Sequence, residues 1–366
     1  MKTNYDVIII GGGVVGSASA FYLSNSGASV AIIEKDSIAS HASGFAYGGI
    51  TPTIGLDPNS SYHKISRYSY KLHTLLANAL PDVSGIDYGF RIYPNIDLAI
   101  NDIEKDRLYE IYKKFSNEYE WCDRKDLEKI DSRLGPNVIY GLISKSSSGL
   151  DPYKFSLSLL TAAEKKGAKF INSKINELIV KNNKVKNVVL TNGTEVSAKN
   201  FIIAAGPWSN EFSKWFGNNI PIRPLKGQII RLKSDQKINI GFHWGSNYVT
   251  SKQDGLIWAG TTEEDVGFDE IPTFEARNEI LSSVVEIFPF LEDSQLIHQT
   301  ACLRPLTIDK LPIISQSNIY NNLFIGSGAG RQGILLGPGM GKILSDLITS
   351  ETSEINIKDF SHLRFS

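Results

Sequence analysis

The sequence predicts two interleaved parts: an α/β nucleotide-binding unit of the Rossmann-like type, and an α+β unit built on an antiparallel sheet. Three observations predict this. A glycine-rich strand-to-helix turn stands near each end of the chain, and between them lie two β-rich excursions that carry no nucleotide motif. At 366 residues the chain is longer than the usual single domain, so two domains are expected.

The first turn is Asp6-Val-Ile-Ile-Ile-Gly11-Gly-Gly13-Val14-Val15-Gly16, an apolar run that breaks at glycines and enters the small-residue helix start Ser17-Ala-Ser-Ala20. In such a turn Gly11 permits the bend, Gly13 lets backbone approach a pyrophosphate, and Gly16 lets the helix pack on the sheet. Free N–H groups at the helix start then face the phosphates. A second apolar strand, Ser29 to Ile33, ends at Glu34 followed by Lys35, where a ribose-binding acid is expected. Strand, glycines, helix, strand and acid together predict dinucleotide binding, without separating NAD from FAD.

Next comes a small-residue segment, His41-Ala42-Ser43-Gly44-Phe-Ala-Tyr47-Gly48-Gly49, with neither strand alternation nor helical period; it is placed to wrap a long cofactor. Residues 60–80 have helical spacing ending at Pro81. From 85 to 145 short strands alternate with a charged helix near 102–119, whose charges at three- and four-residue spacing mark a solvated face. Asp151-Pro152 opens another helix. Residues 167–205 are β-rich, with a hairpin turn at Lys181-Asn-Asn-Lys and a buried strand ending in Ala204-Ala205-Gly206-Pro-Trp208. A second excursion, 221–300, holds three strands and a helix near 273–288. The closing turn, Leu323-Phe-Ile-Gly-Ser-Gly328-Ala329-Gly330-Arg331-Gln332-Gly333-Ile334-Leu335, repeats the design of the first. The division expected is 1–84, 146–220 and 301–366 for the nucleotide domain, and 85–145 and 221–300 for the substrate domain.

Composition narrows the partners. A net charge of −1 gives no footprint for nucleic acid or an anionic membrane, and 42% hydrophobic residues supply an ample core. Two cysteines, Cys122 and Cys302, are too few for a disulfide framework, and no spacing suggests a metal site. The N-terminal apolar run is too short for a signal core or a membrane span, so cytoplasm is the expected compartment. Nothing indicates an oligomeric state.

Over nearly its whole length the sequence resembles the D-amino-acid oxidase superfamily of flavoenzymes, most closely the glycine oxidase and sarcosine oxidase branches. The carriers are the N-terminal glycine unit ending in Glu34, Ala42-Ser43-Gly44 with Gly48-Gly49, and Ala204-Ala205-Gly206-Pro-Trp208. Further carriers are Tyr248 ahead of Asp254-Gly-Leu-Ile-Trp-Ala-Gly-Thr-Thr, Leu303-Arg304-Pro305, and Gly328-Ala-Gly-Arg-Gln-Gly-Ile. The resemblance implies a glutathione-reductase-type FAD domain, with substrate held between the flavin ring and the second domain's sheet. Glu34 would bind ribose and Ile175 the adenine through its backbone. Ala42, Ser43, Gly48 and Gly49 would line the pyrophosphate and flavin, and Ala329 to Leu335 would lie beneath the isoalloxazine. A helix N-terminus there would stabilise charge developing on the reduced ring.

The reaction implied is hydride transfer from an amine-bearing carbon of glycine, sarcosine or a small D-amino acid to flavin N5. It gives an imine and, with oxygen as acceptor, hydrogen peroxide; no catalytic base is required. Arg304 matches the carboxylate-binding arginine, Tyr248 a second anchor, and Arg331 a cofactor-loop arginine near the substrate. FAD is expected without a covalent link, Cys302 and His41 being the candidate tethers. Some positions depart from the pattern. Ile308 and Lys310 replace the proline and glycine usual after Leu-Arg-Pro, and Trp258 stands near the lysine that sarcosine oxidases link to oxygen activation. Glu263 reads as a solvated acidic turn. The alternatives are a dehydrogenase using another acceptor, a tRNA aminomethyl-uridine oxidase, and a flavin-binding protein without turnover.

Overall fold

The computed structural model describes residues 4–52, 57–350 and 352–365. Its first sheet centres on Asn4–Ile10, whose neighbours Val30–Glu34 and Glu195–Ile203 both run parallel to it, with Ile10 opposite Ile33 and Ile203. Lys169–Asn172 extends it beyond Val30–Glu34, and Leu323–Ser327 runs parallel to the end of Glu195–Ile203. These are buried aliphatic strands, as a parallel sheet covered on both faces requires. The hairpin Ile175–Lys181 and Lys184–Leu190 pairs with the start of Glu195–Ile203. It turns through Asn182 and Asn183 at φ 53° and 54°, as the Asn-Asn pair predicts.

Helices Val14–Asn25, Ser61–Ser84, Pro152–Lys165 and Gly333–Thr349 cover one face of this sheet in a single apolar cluster that includes Val7, Ile9, Phe155 and Met340. Asp151 caps its helix by accepting from the Lys154 amide. The expected stop at Pro81 is corrected: the helix runs on to Ser84 and closes at Gly85, φ 80°, whose N–H bonds the Pro81 carbonyl. Proline forfeits one donor there, and the helix needs only one further turn.

The second sheet has eight strands, in the order Gln295–Thr307, Ile222–Lys233, Ile257–Gly260, Asn247–Ser251, Gly241–Trp244, Asn95–Ala99, Tyr140–Ser144 and Tyr119–Asp123. All neighbours are antiparallel except Gly241–Trp244 with Asn95–Ala99. Alternation splits its faces. Ile230, Leu232, Phe242, Trp244 and Val249 pack with Ile280 and Val284 of helix Phe274–Ile287, whereas Ile229 and Tyr248 belong to the opposite face. The boundary expected at 300/301 falls inside the unbroken strand Gln295–Thr307, which pairs with Ile222–Lys233 from Thr307 opposite Ile222 to Gln295 opposite Lys233.

Candidate active site

Between the two sheets lies a cleft of about 580 Å³, and its walls can be built residue by residue. On the first wall Gly11 sits at φ 112°, and a Cβ there would lie 2.2 Å from the Ala204 carbonyl oxygen. Only glycine lets the turn reach the neighbouring strand end. The next helix begins at Val14, whose N–H is taken by Ser43 Oγ at 3.0 Å because Gly13 has no side chain to cap it. Glu34 ends its strand with Oε2 accepting from the Gly12 amide at 2.7 Å and Oε1 from the Asp36 amide at 2.9 Å. The acid is thereby oriented beside the glycine turn.

His41, at the start of the small-residue segment, hydrogen-bonds Asp36 at 2.8 Å and Glu270 at 3.1 Å, so both ring nitrogens face carboxylates. Its ring meets Trp208 edge-on, and Lys35 Nζ lies over that indole at 3.7 Å. The segment itself forms one helical turn, Ala42–Phe45, and a short strand, Gly49–Ile50. At the C-terminal turn, Gly328 leads through Gly330–Gln332 into helix Gly333–Thr349, which has no side-chain cap. His73, fully buried, braces this helix start by donating from Nε2 to the Ile334 and Leu335 carbonyls at 2.9 and 3.2 Å. Burial lowers its pKa to about 4, so it is neutral.

The second wall carries Arg304. Its Nη2 donates to Thr261 Oγ1 at 2.7 Å and its Nη1 to the Thr262 carbonyl at 3.1 Å, which folds the guanidinium back over Gly227. Thr261 and Thr262 are in turn fixed to Gln228, through its carbonyl at 2.9 Å and its amide at 3.1 Å. Beneath them Lys226, 1% exposed, pairs with Asp269 at 2.7 Å and Glu264 at 3.9 Å, clamping the segment after Thr262 to strand Ile222–Lys233. Tyr248 is buried 3.9 Å, ring to ring, from Tyr47; burial holds its phenol protonated, well above the ordinary range. Cys302 is buried on the same strand as Arg304, and burial raises its thiol pKa.

The structure brings most of the expected residues to this one cleft. Gly11, Gly13, Val14, Val15, Glu34, Lys35, Ala42, Ser43, Tyr47, Gly48, Gly49, Ile175, Ala205, Gly206 and Trp208 line it, as do Ala329, Gly330, Arg331, Gln332, Gly333 and Ile334. Tyr248, Arg304, His41 and Cys302 line it too. Three residues grouped with the cofactor site stand behind the cleft surface, Gly16 in the packing role its motif predicts. Gly16 faces the Gly11 carbonyl, 2.0 Å from where its Cβ would be, and serves helix packing; Gly44 meets the Ala39 carbonyl at 2.1 Å in the same way; Leu335 is 1% exposed in the core. Arg331 lines the cleft with its guanidinium turned to the rim, where it pairs with Glu263 at 3.1 Å and bonds the Ser246 carbonyl at 2.7 Å. Glu263 is thus a half-exposed partner, in keeping with the solvated turn expected. Lys310 holds φ 62° in the turn after Arg304, so the left-handed bend persists without glycine.

Sequence reasoning missed Gly227, Thr261, Asn95, Asp97 and His243, which also line the cleft. Asn-Ile-Asp-Leu-Ala at 95–99 does alternate polar with apolar, but nothing in sequence shows that its polar face turns toward Arg304. Among the described residues no helix is long and apolar enough to cross a membrane, and no cluster of metal-ligating residues occurs.

A cleft running from a Rossmann turn and its acid to an arginine on a facing antiparallel sheet defines a two-sheet nucleotide-dependent oxidoreductase. The chain belongs to the DAO family of FAD dependent oxidoreductases, whose family model matches residues 6–347. It is 25% identical over 370 residues to the glycine oxidase of Geobacillus kaustophilus strain HTA426, covering 100% of this chain and 98% of that protein. It is 27% identical to the bifunctional protein ThiO/ThiG of Nostoc sp. strain PCC 7120, covering 98% of this chain and 55% of that one. The solved structure of glycine oxidase from Bacillus cereus ATCC 14579 superposes with a TM-score of 0.91 at 27% identity, covering 97% of both chains.

The residues present fit FAD. The Val14 helix start faces the cleft beside Glu34, the second helix start is uncapped, and a Cβ on Gly206 or Gly333 would meet nothing within 4 Å, leaving backbone open to a flat ligand.

Proposed function

We propose that this enzyme oxidises the carbon–nitrogen bond of a small amino acid or N-methyl amino acid, of the class of glycine, sarcosine or a small D-amino acid. Residues 1–84, 146–220 and 308–366 would hold the cofactor, and 85–145 with 221–307 the substrate, the division moving from 300/301 to the end of strand Gln295–Thr307. The observation that carries the reading is the Arg304 guanidinium, tied down by Thr261 and Thr262 in a cleft it shares with the nucleotide turn. Such a fork suits a carboxylate, whose two oxygens take parallel N–H donors. That the aligned relatives include glycine oxidases supports the same reading.

Each residue then has a task. Arg304 anchors the substrate carboxylate, and Tyr248, a protonated phenol, donates a second hydrogen bond to it. Tyr47 packs on Tyr248 and closes the cleft to water at that point. Glu34 holds the ribose, and the amides after Gly13 hold the pyrophosphate. Bound FAD supplies the electron sink for the hydrogen leaving the amine-bearing carbon. Cys302 and His41 take no part in holding it covalently: the thiol is kept protonated by burial, and both His41 nitrogens are engaged.

Oxygen is the proposed acceptor, yielding peroxide. A dehydrogenase is the second reading, favoured by Trp258, which bonds Asp254 through Nε1 at 2.8 Å and stacks under Arg231 near the place of the lysine of the sarcosine oxidases. Anaerobic titration tests both. Bleaching near 450 nm by glycine, sarcosine or a D-amino acid supports the substrate class, and readmitted air separates rapid from slow reoxidation. Flavin bound but bleached by no amino acid would remove it.

A further inference from the structure

Tyr47 belongs to the nucleotide wall by sequence and to the facing wall by contact. It follows the helical turn Ala42–Phe45 of the small-residue segment, yet its ring stands on the second sheet. The ring lies 3.9 Å from that of Tyr248 and meets His243 edge-on at 5.7 Å, and Lys252 Nζ sits over it at 4.4 Å. The backbone is shaped to allow this. Gly48 turns at φ 76°, and a Cβ on Gly49 would lie 2.9 Å from Tyr47 Cε1, so the ring occupies room that a side chain at position 49 would take. Tyr47, Gly48 and Gly49 all line the cleft.

Strand order fixes where the ring stands. Counting from the edge strand Gln295–Thr307, which carries Arg304, the guanidinium folds over Gly227 of the second strand. The Tyr248 hydroxyl lies over Gly260 of the third, 3.0 Å from where a Cβ would be. Tyr47 meets the fourth and fifth strands through Tyr248 and His243. The floor beneath the two anchors is therefore glycine, and on the next two strands it rises into stacked aromatic rings. An alkyl chain needs about 7 Å between flanking rings, two van der Waals contacts, and the 3.9 Å between Tyr47 and Tyr248 admits none.

Resting on the amino-acid reading of Arg304, we propose that Tyr47 is the residue that sets substrate size. It ends the substrate pocket beside Tyr248, so the enzyme takes glycine, sarcosine or D-alanine in preference to amino acids with a longer chain on carbon or nitrogen. The ring acts by its volume, and the cofactor-side segment that carries it makes the limit independent of the strands that hold Arg304.

The test uses the FAD-loaded enzyme and two pairs of substrates, sarcosine against N-butylglycine and D-alanine against D-norleucine. In the native enzyme the short member of at least one pair should have a kcat/KM at least about tenfold above the long one. In Tyr47→Ala that preference should fall to parity or reverse, with Tyr47→Leu as a second variant and the flavin spectrum as a check of folding. Tyr47→Phe, which keeps the ring, should retain the native preference. A merely structural role would lower both members of a pair together and leave their ratio unmoved. A readout free of turnover is the affinity of acetate against hexanoate, followed by perturbation of the flavin spectrum. Each methylene taken out of water raises affinity about fourfold, so hexanoate should bind at least about tenfold tighter than acetate in Tyr47→Ala and no tighter in the native enzyme. If amino acids bleach the flavin but the native enzyme favours the long member of both pairs, or if Tyr47→Ala and Tyr47→Leu keep the native ratios, the proposal is overturned and the amino-acid reading survives. If no amino acid bleaches the flavin and neither carboxylate perturbs it, both fall.

Discussion

The two walls of the cleft follow opposite plans. The nucleotide wall is made of backbone: Gly206 and Gly333 leave open space, Gly11 lets the turn press on the Ala204 carbonyl, and the side chains that matter are already bonded, Glu34 to Gly12 and Ser43 to Val14. The facing wall is made of side chains from distant strands, some tied down, as Arg304 is, and others, as Asp97 and His243, with one buried polar atom each that bonds nothing among the described residues. A backbone wall recognises a ligand common to a large family, because amides and glycines offer little to vary. A side-chain wall can change from chain to chain without disturbing the sheet beneath it.

Substitutions should separate the two plans. The largest effect belongs to Gly11→Ala: at φ 112° with a carbonyl 2.2 Å from the new methyl, the cost should exceed about 4 kcal/mol, and the protein should be insoluble or colourless by its 450 to 280 nm absorbance ratio. Arg304→Ala should retain FAD and lose about 100-fold in affinity for an amino-acid carboxylate, measured by anaerobic titration. An unchanged affinity would place substrate recognition elsewhere. Gly227→Ala puts a methyl 2.0 Å from Arg304 Nη2, and displacement of that fork should raise KM about tenfold with the flavin spectrum unaltered.

A smaller effect is read in stability. Burial lowers the His73 pKa to about 4 from the ordinary 6.5, so the unfolded chain binds its proton first as pH falls. Its contribution is complete above pH 6.5 and is lost between there and pH 4, about 3 kcal/mol in all. His73→Gln should flatten the melting temperature over that window by calorimetry; an equally steep curve would assign the acid sensitivity to other groups, His243 foremost, whose pKa burial also lowers to about 4. The smallest change is expected of Arg331→Ala, about twofold in KM, since its partner Glu263 is half-exposed and such pairs contribute little.

The contrast between walls also governs what sequence could reveal. The nucleotide wall was legible because its chemistry is local: glycine spacing, a strand and an acid lie within one contiguous stretch. Arg304 and Tyr248 were reached only through resemblance. Asn95, Asp97 and His243 escaped because their meeting depends on the parallel pairing of Asn95–Ala99 with Gly241–Trp244, strands about 145 residues apart, and no periodicity encodes which strands become neighbours. Gly44 and Leu335 were misplaced for a related reason, since membership of a motif does not say which side of it faces the ligand.

Strand Gln295–Thr307 has a mechanical consequence. It is hydrogen-bonded to Ile222–Lys233 along its whole length, carries Cys302 and Arg304 near its end, and just beyond them touches the cofactor loop through a bridge between Leu306 and Ala329. The proposed substrate anchor and cofactor cradle would therefore share one rail. The spacing between them is set by a single strand, as the opening of a gauge is set by the frame that joins its jaws.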